Sequence, residues 1–167
     1  RQPLAGAQGQ LELLEDPDID VVSVASWDDA HFEQVRLAFE HDKHVFAEKP
    51  LCLHEEEAQT LKAMLAERPQ LRLSTNVPLR RSPRFLEVRE LVRSGALGES
   101  FHVEGDYDYG RRAKLTEGWR GRIPYYSVVL GGAIHMVDLL LWITGERVAA
   151  VSAMACGSGS LKSEDRP

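Results

Sequence analysis

The stretch "HVFAEKP", residues 44–50, carries the clearest indication of the fold. It begins as a short apolar run, and a glutamate, a lysine and a proline follow at the point where such a strand should end. The earlier run "DIDVVSVAS", residues 18–26, is rich in valine and does not alternate, which indicates a strand buried on both faces, as in a parallel sheet. A third run, "LRLST" at residues 71–75, predicts another strand.

Amphipathic segments separate these three runs. Residues 28–44 carry apolar side chains at helical spacing, and so do residues 54–68, whose first turn contains three glutamates at positions 55–57. Acidic residues in the first turn are favoured by the helix macrodipole. Strand, helix, strand, helix and strand with short connections predict βαβ units and an α/β fold with a Rossmann-type, doubly wound parallel sheet.

The pattern changes near Val77. Residues 82–95 predict a helix with a serine cap, a proline at its first position and a glycine after its end. Residues 101–109 alternate between apolar and polar, which predicts a half-exposed strand. Residues 131–145 predict a largely apolar helix, and residues 147–155 a last strand. We therefore expect an α+β unit after the parallel α/β unit.

Composition excludes several classes of function. The net charge of −6 argues against nucleic acid as the main partner, because phosphate binding favours a basic face. The sequence has no apolar run of about 18 residues, so no membrane span is expected, and its first residues have no signal-peptide core. The two cysteines, Cys52 and Cys156, are expected to be reduced thiols of a cytoplasmic protein.

Polar residues follow the first two predicted strands, at the edge where open α/β sheets bind ligands. Ser26, Trp27 and Asp28 follow the first, and Glu48 and Lys49 follow the second. A solvated charge pair is the ordinary interpretation of Glu48 and Lys49. However, the proline that follows restricts the backbone of Lys49, which favours a held lysine.

His135 is unusual because it lies in an otherwise apolar helix. Asp138 is three residues later, on the same face. Three interpretations remain open: a hydrogen-bonded core histidine, a general acid/base that titrates near neutral pH, and a metal ligand together with Asp138. No third ligand has suitable spacing for the last of these.

The ordered series "DPDIDVVSVAS", "HVFAEKPL", an asparagine after the third strand, "LVRSGALG" and "GGAIHMVDLLLWITGE" resembles the Gfo/Idh/MocA family of NAD(P)-dependent oxidoreductases. The resemblance implies hydride transfer between NAD or NADP and a hydroxyl or ketone of a sugar-, inositol- or polyol-like small molecule. It implies that residues 1–77 are the C-terminal part of a dinucleotide-binding domain and that residues 78–167 begin a substrate domain. It also implies a homo-oligomer formed through the second domain's sheet.

The resemblance also implies roles for individual residues. Lys49 would face both nicotinamide and substrate, and His135 would be the acid/base, so these two are the expected catalytic residues. The expected cofactor-binding residues are Ala25, Ser26, Trp27, His31, Glu48, Lys49, Pro50 and Asn76, and the proline is often preceded by a cis bond in such proteins. The expected substrate-binding residues are Arg80, Arg120 and Asp138. Arginine suits carboxylate or phosphate groups because it can bind them through two nitrogens. The ordinary interpretation of these arginines is a solvated surface.

Three departures from the family pattern bear on function. The G-x-G-x-x-G fingerprint is missing, so the chain is expected to be an internal piece that binds dinucleotide poorly and is inactive alone. Ser26-Trp27-Asp28 stands where Thr-Pro-Asn is usual. Gly131 stands where an aspartate often precedes the histidine by four residues. These departures keep a second hypothesis open, namely a non-catalytic binding or assembly module that retains the fold.

Overall fold

The computed structural model describes residues 6–124 and 126–154, which form two compact units divided between Asn76 and Val77. The first unit contains α1 (Gly6–Glu15), β1 (Val21–Val24), α2 (His31–Glu40), β2 (His44–Ala47), α3 (Glu55–Glu67) and β3 (Leu73–Thr75). The second contains α4 (Pro83–Arg93), α5 (Arg112–Thr116), a π-helical turn (Val129–Ala133) and α6 (Ile134–Thr144). Short 3₁₀ turns lie at Asp28–Ala30, Pro78–Arg81 and Arg120–Arg122.

The three strands form one parallel sheet in the order β1-β2-β3. Val24 is in register with Ala47, and Ala47 with Thr75, so all three strands end at one edge. The helices α2 and α3 connect successive strands, as parallel pairing requires. The predicted α/β fold with a partial Rossmann-type sheet is confirmed.

One face of this sheet is covered. Val24, Val45 and Ala47 are buried there with Phe39 of α2 and Leu61 of α3. The remaining core residues of this unit are Leu14, Val35, Ala38 and Leu71. Burial of these side chains supplies the main stabilisation of the unit, since each buried aliphatic or aromatic side chain contributes roughly 1.5–3 kcal/mol.

The prediction that β1 is buried on both faces is wrong for the described residues. Val21 is 58% exposed, and Phe46, which points to the same side of the sheet, is 42% exposed. The helices between the strands pack on the opposite side, and no described element of this unit covers Val21 and Phe46. A valine-rich run therefore indicated strand correctly but did not reveal how many faces are covered.

Helix α1 was not anticipated from the sequence. Its last turn places Leu14, only 2% exposed, in the core beside the sheet, while Leu11 is 39% exposed. A helix with so few core-facing apolar residues gives a weak periodic signal, and tertiary packing decides its conformation.

The two longer helices of the second unit lie where the sequence predicts them, although Ser82 at the N-cap position of α4 makes no side-chain capping hydrogen bond and residues 131–133 are π-helical. Helix α4 begins at Pro83, and α6 is followed by Gly145, whose φ of 77° is the left-handed conformation that favours glycine. The amide N–H of Gly145 donates to the carbonyl of Leu141 and closes the helix. Although α6 is apolar, no helix in the described part of the chain has the length and hydropathy needed to span a membrane.

The strands predicted at residues 101–109 and 147–155 are not formed in the described part of the chain, and residue 155 lies outside it. A strand requires a hydrogen-bonded neighbour, and no described segment of this unit provides one. Phe101 is accordingly 98% exposed and Val103 48%. Later in the same segment, the rings of Tyr107 and Tyr109 stack with centroids 6.0 Å apart.

Candidate active site

The carboxyl edge of the sheet brings together two predicted cofactor-binding residues, Glu48 and Asn76. Their backbones extend the sheet, because Glu48 N–H donates to Val24 O at 2.8 Å and Asn76 N–H donates to Ala47 O at 2.9 Å. The side-chain amide of Asn76 then donates to Glu48 Oε1 at 2.7 Å, in a partly buried position. Glu48 is therefore a held carboxylate, contrary to the solvated charge pair of the ordinary interpretation.

His31 connects the segment after β1 to the segment after β2. Its ring is fully buried, with Nδ1 2.7 Å from Pro50 O and Nε2 3.2 Å from Ser26 O. Both partners are carbonyl oxygens, which only accept, and the shorter contact favours Nδ1 as the donor to Pro50 O. The Lys49–Pro50 peptide bond is cis, and Pro50 is buried. The buried ring of His31 thus supports the Glu-Lys-Pro turn by contacting the backbone carbonyl of Pro50, and it is not exposed to solvent.

The segment after β1 presents an accessible surface. Ala25 and Ser26 are exposed, and Trp27 is 58% exposed. The hydroxyl of Ser26 donates to Gln34 Oε1 at 2.7 Å. Asp28 is only 3% exposed, a burial that no pattern in the sequence indicated. The departure Ser26-Trp27-Asp28 therefore forms an ordered turn that offers an indole surface.

In the second unit, Arg80 and Asp138 form a bidentate ion pair. Arg80 Nε donates to Asp138 Oδ2 at 2.8 Å, and Arg80 Nη2 donates to Oδ1 at 2.5 Å. The carboxylate of Asp138, through this hydrogen bonding, raises the pKa of Arg80. The guanidinium also lies 5.9 Å from the ring centroid of Trp142. Two predicted substrate-binding residues are therefore partners of each other.

Arg120, the third predicted substrate-binding residue, lies against aromatic side chains. Its guanidinium carbon is 4.0 Å from the ring centroid of Trp119, and its Nε donates to Tyr126 Oη at 3.2 Å. Trp119 and Tyr126 meet edge to face with centroids 6.4 Å apart. Sequence reasoning missed both aromatic residues, although aromatic side chains flanking an arginine are a usable signal for a stacked guanidinium.

His135 lies in the first turn of α6, immediately after the π-helical turn Val129–Ala133. The residue is half-buried and its Nδ1 atom is buried. Single π-helical turns within helices occur frequently at functional sites. Asp138 follows on the same face of α6, but both of its oxygens bind Arg80.

The metal interpretation of His135 and Asp138 receives no support from these contacts. Because Arg80 binds both oxygens of Asp138, a metal ion would have to displace a guanidinium. Within residues 6–124 and 126–154, no group of three histidine, cysteine, aspartate or glutamate side chains could hold a metal ion.

Comparison with known proteins gives matches along most of the chain. Residues 7–76 match the family model described as "Oxidoreductase family, NAD-binding Rossmann fold", and residues 85–164 match the "GFO/IDH/MocA C-terminal domain". The uncharacterised oxidoreductase YhhX of Escherichia coli is 32% identical over 134 residues, covering 80% of this chain and 38% of that protein. The 1,5-anhydro-D-fructose reductase of Ensifer adhaerens is 29% identical, covering 89% of this chain and 44% of that protein.

A solved structure shows the same fold. It is the scyllo-inositol dehydrogenase of Lactobacillus casei with bound NAD(H) and scyllo-inositol, with a TM-score of 0.67 at 23% identity. The match covers 81% of this chain and 40% of that one, so the chain spans less than half the length of these known proteins. Successive matches to both domain models, with the Rossmann-type sheet in the first, show that this chain belongs to the Gfo/Idh/MocA family of oxidoreductases.

Proposed function

We propose that the full-length protein is an NAD(P)-dependent oxidoreductase that interconverts a hydroxyl and a ketone on a sugar-, inositol- or polyol-like substrate. In this proposal the first unit is the cofactor-binding part and the second belongs to the substrate domain. The observation that carries it is the supported Glu-Lys-Pro turn at the carboxyl edge of a parallel sheet, the edge where ligands of such sheets bind.

The residues at this edge fit the nicotinamide end of a dinucleotide. Glu48 is a hydrogen-bond acceptor of the type that binds ribose hydroxyls, and Asn76 orients it. The exposed indole of Trp27, in the segment that follows β1, offers a flat surface at the same edge of the sheet. The nicotinamide ring supplies the site that accepts or donates hydride, while the protein supplies orientation and charge.

Lys49 and His135 are assigned to the substrate oxygen. The Lys49 ammonium polarises the hydroxyl or carbonyl oxygen as a compact positive charge. The imidazole of His135 takes the hydroxyl proton during oxidation and returns it during reduction. Arg120 is assigned to substrate binding, whereas Arg80 and Asp138 are better explained as a pair that orders the start of the second unit against α6.

The test is steady-state kinetics of the full-length protein with NAD and NADP, using scyllo-inositol for oxidation and 1,5-anhydro-D-fructose for reduction. For whichever substrate reacts, His135→Ala should lower kcat by roughly 10²–10⁴-fold. Lys49→Ala should cause a comparable loss, and Lys49→Arg should not restore activity, because a planar fork cannot replace a point charge.

Lys62→Ala is the matched control, since Lys62 is an exposed lysine of α3 in the same unit. Parental turnover by both Lys49→Ala and His135→Ala would contradict the mechanism. Dinucleotide binding by calorimetry without turnover of any polyol or sugar ketone would favour the alternative, a non-catalytic module that retains the fold.

A further inference from the structure

Gly131, four residues before His135, is in close contact with the side chain of Tyr126. A Cβ atom built on Gly131 would lie 2.7 Å from Tyr126 Oη and 3.0 Å from Tyr126 Cε1. These separations are too short for any side chain on residue 131 without movement of the tyrosine. The phenol of Tyr126 therefore occupies the place where a side chain at this helix position would begin.

The phenolic oxygen is held in place by its surroundings. Arg120 Nε donates to Tyr126 Oη at 3.2 Å, and the ring of Trp119 meets the tyrosine ring edge to face. Since the oxygen accepts from the guanidinium, its own proton is directed away from Arg120. The guanidinium is in turn stacked 4.0 Å from the Trp119 centroid, which restricts its freedom.

Gly131 lies four residues before His135, at the start of the same helical segment. Positions four apart share a helix face, with Cβ atoms about 5–6 Å apart in regular α-helix. Tyr126 Oη thus lies 2.7 Å from the point at which a side chain four residues before His135 would begin. Gly131 lies within the π-helical turn Val129–Ala133, and its amide N–H donates to Ser127 O at 3.0 Å.

We propose that Tyr126 is a positioning residue for His135: its hydroxyl, anchored by Arg120 and admitted by Gly131, supplies the polar group on this face of α6 that residue 131 itself does not carry. This inference rests on the proposed function and deepens it. It assigns a role to Gly131, because only glycine leaves room for the phenol. It also replaces a carboxylate, which would be negative, with a neutral hydroxyl beside a guanidinium.

Three single substitutions in the full-length protein separate this role from simple packing. Tyr126→Phe removes only the hydroxyl. Gly131→Ala places a methyl group 2.7 Å from that hydroxyl and should displace it. Gly132→Ala is the matched control, because its methyl would lie 2.6 Å from Cε1 of Tyr107, an equally severe overlap that involves no hydroxyl.

The first readout is the ¹⁵N chemical shifts of the His135 ring at constant pH without substrate, assigned with His135→Asn. They should move in Tyr126→Phe and Gly131→Ala and stay at parental values in Gly132→Ala. The second is kinetic: Tyr126→Phe should lower kcat by roughly 10–10²-fold with little change in KM, since misplacing a reacting group by about 1 Å can cost 10²-fold. In Tyr126→Phe/Gly131→Ala the losses should not add, because both changes remove one interaction.

The outcomes distinguish the two proposals. Parental kcat and parental His135 ring shifts in a folded Tyr126→Phe would overturn the role of Tyr126 and leave the proposed function intact. Absence of turnover in the parent, with the ring shifts still moving in Tyr126→Phe, would remove the proposed function and retain the coupling. If Gly131→Ala does not fold, Tyr126→Phe alone decides, since it adds no atoms.

Discussion

Asn76 donates a hydrogen bond to Glu48 across 2.7 Å and joins the residues that follow two neighbouring parallel strands. Asn76→Ala should lower the free energy of unfolding by roughly 1–2 kcal/mol, because a partly buried bond to a carboxylate is lost. Asn76→Asp should be more harmful at pH 7 than at pH 5, since two carboxylates repel until one is protonated. Urea unfolding at both pH values measures this.

Ser74→Ala is the control for the Asn76 variants, because Ser74 is an exposed residue of β3, two positions before Asn76. Equal unfolding midpoints for Asn76→Asp and the parent at pH 7 would show that Glu48 does not depend on this amide. In the full-length protein, Asn76→Ala should also weaken dinucleotide binding, measured by calorimetry, if Glu48 contacts the ribose.

Replacing His31 should loosen the Glu-Lys-Pro turn. His31→Gln removes the ring that contacts Pro50 O and Ser26 O in a buried position. We expect a loss of about 1–3 kcal/mol in the free energy of unfolding, because a buried carbonyl is left without its donor. His41→Gln, at the end of the same helix, should change it by less than about 0.5 kcal/mol. Similar unfolding curves for both variants would mean that the two contacts of the His31 ring do not stabilise the turn.

The Arg80–Asp138 pair should contribute modestly to stability, because the Arg80 side chain is 41% exposed. Asp138→Asn should cost about 0.5–1 kcal/mol after allowance for solvent screening. The double variant with Arg80→Gln should cost little more than either single one, as expected for residues that act on each other. Thermal unfolding of the four proteins gives the coupling, and strictly additive losses would count against a paired role.

Asp138→Asn also distinguishes two roles for this aspartate, namely holding Arg80 and taking a direct part in proton transfer. If it serves mainly to hold Arg80, kcat should fall far less than in His135→Ala. A loss of turnover equal to that of His135→Ala, with unchanged stability, would instead support a direct part in proton transfer.

Cys52 should be an unreactive thiol. Burial, together with the nearby charge of Glu57, raises the pKa of Cys52, so less thiolate is present at neutral pH than for an exposed cysteine. Iodoacetamide should therefore label Cys52 more slowly in the folded protein than in urea at the same pH. The measurement uses a Cys156→Ser variant, because iodoacetamide would also label this second cysteine of the sequence.

The same shift predicts how stability depends on pH. Because the folded-state pKa is raised, the unfolded chain loses the thiol proton first, and stability should fall as pH rises above about 8.5. Cys52→Ala should lack this part of the decline. Labelling of native Cys52 as fast as in urea would contradict the burial argument.

Local pattern determined the order of the elements and much of the candidate site. Valine-rich runs separated by amphipathic segments can bury their apolar surface only as strands and helices in a βαβ arrangement, so the parallel sheet could be predicted. Parallel strands end at one edge, which is why Glu48 and Asn76, 28 residues apart, could be expected near each other. Pro83 at the start of α4 and Gly145 after α6 act through their own backbone dihedrals, so these helix ends could also be predicted from the sequence.

Tertiary structure alone decided what each polar group contacts and which surfaces are covered. Neither the burial of His31 between two carbonyls nor the pairing of Arg80 with Asp138 follows from spacing, because each depends on where separate elements pack. One sheet face is uncovered at Val21 and Phe46, and residues 101–109 do not form a strand. Both outcomes depend on neighbouring segments, which no local pattern specifies. In the sequence, Gly131 is simply a position without a side chain. In the folded protein, the phenol of Tyr126 lies next to it. The partner of a side chain depends on which residues lie near it in three dimensions. Sequence periodicity reflects only the conformation of the helix or strand that contains the side chain.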